Sequence, residues 1–450
     1  MCFSAKYLAA LAALAVACAS PAAVSDTYRP ESPGVWLDDQ ERREQIDDLL
    51  AEPLTMETAL KVAVLNNPGL QADLAAVDVR AARFRDQATM ANPEFDTEFF
   101  IFGPDSWGLH RVEASLEFEL TSMLTRAVRL RAASQGVEAS RAEAAGRILD
   151  FTAELRRSWI HYVAARQYLD RQRRVHRAAQ AAAETAGIYH EAGNIADDEL
   201  YRLQAFGAEA RRTLLHAEDS AGYWREELAL LLSEPVDGDW SAVAELQAPP
   251  DELSSVVQPV LEEKAIERSP RLQRMELETR RHEELARASR WQGWLPALRL
   301  GVVADWREAE VEWGPTLGVD VPIFDRRQYE RDALQARQIE LHFQRRQQIN
   351  RLRTHTRRVM RRLEQSHLLV THYAEEVLPI RERLAGETLR QYNAMTIGVF
   401  ELLETRRAHL VAEAAYVEVL RDYWLARAEY EHLLAGGTFD DDRASGQPEH

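Results

Sequence analysis

Glu401 and Glu404 lie three residues apart in a run of helix formers, a spacing that puts both carboxylates on one helix face. Such a pair can draw cations to a site; it is also what an ordinary solvated helix face looks like. Few other groupings suggest chemistry. The histidines, among them His190, His355, His367, His372, His409 and His432, show no metal-ligand spacing, and His367 and His372 share a helix face poorly. No His-Glu-x-x-His, Cys-x-x-Cys, Gly-x-Ser-x-Gly or P-loop occurs. The sequence therefore predicts no catalytic residue, no cofactor and no metal site.

The chain has 450 residues, a formal charge of −18 and a mean hydropathy of −0.40. Lysine occurs only at positions 6, 61 and 264; the other basic residues are arginines. No basic face stands out, which argues against a nucleic-acid partner. Lys6, the short apolar stretch Leu8 to Val16 and the small residues before Cys18 predict an export signal over residues 1–17. These small residues resemble a lipobox with Ala15 in place of the usual leucine, so Cys18 is the expected lipidation site. Cleavage near Ala17 or Ala22 without acylation is the alternative. Because Cys2 would leave with the signal, no intrachain disulfide or thiolate metal site is expected. After residue 18 no apolar run reaches the length of a spanning helix. Such an exported chain is periplasmic, secreted or part of a β-barrel.

The elements that must position Glu401 and Glu404 come from a duplication. Ala63-Val64-Leu65-Asn66-Asn67-Pro68-Gly69-Leu70-Gln71 returns as Ala265-Ile266-Glu267-Arg268-Ser269-Pro270-Arg271-Leu272-Gln273, 202 residues later. Further landmarks pair at 203: Pro93 with Pro296, Glu117 with Asp320, and Glu199-Leu200 with Leu402-Leu403. A period this long is a duplicated domain, not a short-repeat solenoid. The expected organisation is a Pro-, Ser- and Asp-rich extended segment over 18–54, a first repeat over 55–234, a linker over 235–257, a second repeat over 258–436 and an acidic tail over 437–450. Each repeat opens with a helix interrupted before proline, at Asn67-Pro68 and Ser269-Pro270. Long helical runs follow, over about 121–190 and 326–391. At 1.5 Å per residue the first spans about 100 Å. Leu403, Leu410, Val417 and Trp424 recur every seven residues, and Leu200, Leu214 and Leu228 every fourteen, as in coiled-coil seams or bundle faces.

Between the helices lie four segments of period two. Phe95, Thr97, Phe99 and Ile101 alternate with Glu94, Asp96 and Glu98, and Val112 to Leu120 alternates with Glu113, Ser115, Glu117 and Glu119. The second repeat holds shorter runs, Leu298–Val303 and Leu317–Val321. Phe99, Phe100, Phe102, Trp107, Trp306, Trp313 and Phe324 flank them as interfacial aromatics do. Closed transmembrane barrels begin at eight strands, so four strands must find others, and three chains would supply twelve. Two half-buried hairpins capping a soluble helical body remain the alternative.

Over about residues 55–436 the chain resembles the TolC family of outer-membrane efflux channels. The anchors are Leu54-Thr55-Met56-Glu57-Thr58-Ala59-Leu60 through Asn66-Asn67-Pro68-Gly69-Leu70, Gly314-Pro315 through Phe324-Asp325, and Tyr392 to Arg406. Ala91-Asn92-Pro93, Tyr392 to Met395 and Gly398 to Leu403 look most like the CzcC-like, metal-efflux branch. The resemblance implies a mainly α fold with a small β part. Three copies would share a twelve-stranded barrel in outer-membrane lipid above a periplasmic helical tunnel. A periplasmic adaptor and an inner-membrane pump, RND-type, are the implied partners, and heavy-metal cations or organic solutes the implied cargo. A periplasmic adaptor or scaffold without a pore is the competing function. By the resemblance, Gly193, Asn194, Ile195, Thr396, Ile397 and Gly398 form adaptor-docking tips, with Met395 where glycine is usual. Glu401 and Glu404 fall where the family places a carboxylate ring, six charges in a trimer. Tyr392 and Glu199 match a closed-state pair, and Ile397 stands where an arginine latch is expected.

Overall fold

The structure, a computed structural model, describes residues 39–438 except 101–110, 237, 239, 242–244, 251–257, 293–296, 308–309, 321–322 and 325. The signal, Cys18, the turn Gly103–Gly108 with Trp107, and the acidic tail from residue 439 onward lie outside the described residues.

The segment expected to be extended over 18–54 contains a helix, α1 (Asp39–Leu50). Seven of its twelve residues are charged, which hides a single apolar rung; Ile46 is 1 % exposed and enters the core. Arg43 donates to Glu234 at 2.8 Å, tying the helix to the end of the first repeat. Next come α2 (Met56–Asn66) and α3 (Pro68–Gln87). Thr55 and Thr58 close a reciprocal capping box at the start of α2. At the break, Asn67 leaves the helical region and its Oδ1 accepts from Leu70 N at 2.9 Å, restarting the chain as α3 with proline in the first turn. The second repeat does the same with α6 (Gln258–Arg268) and α7 (Pro270–Gln292), where Ser269 Oγ accepts from Leu272 N.

The strands are β1 (Glu94–Phe100), β2 (Arg111–Glu119), β3 (Ala297–Arg307) and β4 (Glu310–Asp320), one antiparallel sheet in the order β1-β2-β3-β4. β3 and β4 are longer than the pattern suggests, because Gly314-Pro315 does not end β4. Pro315 pairs with Val302 on an edge strand, where a missing N–H is tolerated. The register gathers every apolar alternation onto one face. Phe95, Leu116, Val302 and Pro315 stand side by side, as do Val112, Trp306 and Val311. Only Thr97 is polar among the seventeen residues of that face.

From β2 the chain enters α4 (Leu120–Glu191), 72 residues and about 108 Å long, and returns as α5 (Asp197–Leu232). The second repeat rises through α8 (Gln328–His372), a π-turn (Tyr373–Val377) and α9 (Leu378–Asn393), and returns as α10 (Val399–Leu434). Packing defines a row: α5 lies on α4, α4 on α10, and α10 on α8 and α9, while nearer the sheet α3, α4, α7 and α8 follow one another. The main core forms where the row meets α2 and α6, around Leu155, Val163, Leu228, Leu232, Leu261 and Tyr423. The heptad positions Leu410 and Val417 are buried, as are Leu214 and Leu228.

Candidate functional site

The two turns far from the sheet share one backbone. In the first, Ala192 N donates to Ile188 O, Gly193 N to His190 O and Asn194 N to Tyr189 O. In the second, Ala394 N donates to Arg390 O, Met395 N to Tyr392 O and Thr396 N to Gln391 O, each 202 residues on. Gly193 is left-handed at φ 76° and Met395 at φ 59°, so methionine itself adopts the glycine conformation. Ile195 and Ile397 are both half-buried, and Ala196 and Gly398 are extended N-cap residues of α5 and α10. Gly398 is therefore not the left-handed residue of the second turn. This fit corrects the offset of 203 at the turns: the counterpart of Glu199 is Glu401, each in the first turn of its helix.

Glu401 and Glu404 are exposed on α10. Glu404 is ion-paired with Arg407, whose guanidinium also lies 4.9 Å above the Phe206 ring on α5. Among the described residues no hydrogen bond joins Tyr392 to Glu199 within one chain. Nearer the turns a second contact crosses between repeats, Tyr189 on Phe400, edge to face at 6.1 Å. The first turn has a clasp that no motif announces: His190 Nε2 and Asp197 Oδ1 are 2.7 Å apart.

Further from the turns, the His161 ring stacks flat on Trp224 with centroids 3.9 Å apart. Arg362, Arg421, Asp422 and Leu425 complete a cleft of about 390 Å³ around them. Burial, with help from Arg421, Arg157 and Arg362, lowers the His161 pKa to about 4. His432, near Asp150, is lowered to about 4 by burial and by Arg157, His355 and Arg156. His355 lies 3.3 Å from Glu429, and His372 3.5 Å from Glu376 across the π-turn. No group of three potential metal ligands occurs among the described residues. None of these pairings shows a sequence signal, since most partners sit tens to hundreds of residues apart.

The sheet's second face is acidic. Ten carboxylates (Glu94, Asp96, Glu98, Glu113, Glu117, Glu119, Asp305, Glu310, Glu312, Asp320) share it with three arginines. Arg111 donates to Asp305 at 3.0 Å, Arg307 to Asp305 at 2.8 Å and Arg299 to Asp320 at 3.1 Å. Like charges still stand directly opposite at Glu94–Glu117, Glu98–Glu113 and Asp305–Glu312, a pairing that weakens a sheet. On the opposite face, Phe95, Phe99, Trp313 and Leu317 are more than half exposed, Trp313 at 78 %.

No family model matches the sequence, and no curated protein does. Solved structures do match. The chain is similar to CusC, described in connection with folding and transmembrane channel formation (TM-score 0.69, 13 % identity, 85 % of this chain and 92 % of that one). It is also similar to the CmeC outer membrane channel of Campylobacter jejuni (TM-score 0.64, 14 % identity, 87 % and 88 %). A third match is the open-state MtrE outer membrane channel of Neisseria gonorrhoeae (TM-score 0.61, 17 % identity, 85 % and 89 %). The fold is that of the TolC-family outer-membrane channels: a duplicated long-helix unit carrying a four-stranded antiparallel sheet.

Proposed function

We propose that this chain is the outer-membrane channel of a tripartite efflux system, passively conducting cargo from an inner-membrane pump and a periplasmic adaptor to the exterior. One observation carries the reading: an open sheet with a continuous exposed apolar face, an acidic opposite face and free edges at β1 and β4. Lipid satisfies the first face and water the second, and β4 of one copy pairs with β1 of the next. Three copies give the twelve strands. The helices form the periplasmic conduit, with the turns at Gly193–Ile195 and Thr396–Gly398 as adaptor-docking tips. Glu401 and Glu404, with Tyr392 and Glu199, form the gate. Cys18 carries the lipid anchor after removal of residues 1–17. The acidic surplus on the water-facing side favours cations, and with them heavy-metal cargo driven by an RND-type pump.

The test is the mass of the protein extracted from outer membranes in mild detergent, corrected for bound detergent. A trimer is expected. A monomer released without detergent would return the chain to the adaptor or scaffold class.

A further inference from the structure

The cleft of about 390 Å³ around the His161–Trp224 stack has no part in the channel reading. Four consecutive helices of the row line it: α5 gives Trp224, α4 gives His161, α10 gives Arg421, Asp422 and Leu425, and α8 gives Arg362. One cleft shared by four helices in a row means that the row curves toward this side. Val163 and Tyr423, two residues beyond His161 and Arg421, are fully buried in the core with Ala59 and Val62 of α2 and Leu261 of α6. Two residues are just over half a helical turn, so the cleft opens on the face of the row opposite α2 and α6. That concave face is the one left to line the conduit.

The arginines of the cleft are only partly engaged. Arg362 is exposed and makes no hydrogen bond among the described residues, and its ion pair with Glu429 is long, at 3.8 Å. Arg421 donates from Nε and Nη2 to a single oxygen, Oδ1 of Asp422, at 3.0 and 2.9 Å. His161 has no hydrogen-bond partner among the described residues. Burial, with Arg421, Arg157 and Arg362 around it, holds its pKa at about 4, so the stacked rings are an uncharged floor at neutral pH. The carboxylates at hand are already shared: Asp422 with Arg421, and Glu429 with His355 at 3.3 Å. A cation entering the cleft therefore meets two arginines and no free carboxylate. A planar anion fits better, because the arginine fork pairs a carboxylate through parallel hydrogen bonds and its plane stacks on rings. Leu425 adds an apolar wall, and the volume lies within the range of small-molecule sites, roughly 300–1,000 Å³.

We propose that this cleft binds a small aromatic carboxylate, its anionic group between Arg362 and Arg421 and its ring against Leu425 and the His161–Trp224 stack. The site goes beyond the conduction of cations and takes from the channel reading only its place on the conduit wall. Each copy carries one such site, and filling it offsets positive charge on that wall.

Benzoate is the probe, titrated by calorimetry into the full-length protein in mild detergent. Saturable binding at one site per chain is expected, with a change in tryptophan emission that disappears in Trp224→Phe. Arg362→Gln with Arg421→Gln should weaken binding at least about tenfold. Benzylamine, with the same ring and the opposite charge, should not bind. Circular dichroism and the mass of the particle separate a lost site from lost folding, and if the double variant does not fold, Arg421→Gln alone is titrated. Benzoate uptake that does not saturate, or that ignores the arginine substitutions, overturns the proposal, as does equal binding of benzylamine. Inorganic phosphate binding as tightly as benzoate also overturns it and assigns the arginines to small anions at large. A trimer that takes up no benzoate refutes the cleft and leaves the channel standing. A monomer that binds benzoate through these arginines keeps the cleft and refutes the channel.

Discussion

Met395 does at the second turn what Gly193 does at the first, with a Cβ in a backbone region that L-residues avoid. Met395 is 92 % exposed, so its side chain gains little from packing in the single chain. Met395→Gly should therefore stabilise the turn by about 0.5–1 kcal/mol, visible as slower amide exchange at residues 392–396. His432 gives the opposite kind of prediction. Its folded pKa of about 4 lies below the ordinary value of 6.5, so the unfolded chain binds the proton more readily. Stability from neutral His432 is complete above pH 6.5, declines as pH falls and is gone below about 4. The loss is of order 3 kcal/mol. His432→Gln should flatten that part of the pH–stability curve, measured by urea unfolding at pH 7 and pH 4.5. An unchanged slope would locate the acid sensitivity elsewhere.

Among the elements, the interrupted helices are the best evidence of how far sequence carries. Proline at 68 and at 270 announces both breaks, and the capping residues Asn67 and Ser269 explain why each chain segment can restart. Asn67 does more, because its Nδ2 also donates to Leu231 O at 2.9 Å, anchoring the end of α5. Asn67→Ala should cost about 1–2 kcal/mol in urea unfolding, and Ser269→Ala, which lacks such an anchor, less. Period-two alternation likewise locates all four strands, since it records which face is wet. It falls short at β4, where a glycine and a proline look like an ending but occupy an edge. α1 escapes notice because its apolar residues, Ile46, Leu49 and Leu50, are confined to its last turn and a half, too few to set a period. The contacts of His161 with Trp224 and of His190 with Asp197 depend on how helices turn against each other, which spacing along a single helix does not encode.

For the whole molecule, the two faces of the sheet make separable predictions. Leu317→Arg puts a charge on the apolar face and should cost about 2–4 kcal/mol of barrel stability if it falls near the bilayer midplane. Thr316→Arg, one residue away on the acidic face, should be tolerated. The fraction of each variant recovered in the outer membrane distinguishes them; equal recovery would mean that the apolar face does not meet lipid. The free edges at β1 and β4 also make supply a variable. Three chains must meet before every edge is closed, so trimer formation at equilibrium follows the cube of the free monomer concentration. Halving the free monomer then lowers the trimer about eightfold, and a cell with scarce chains holds them unassembled, each with two unpaired strand edges and a bare apolar sheet.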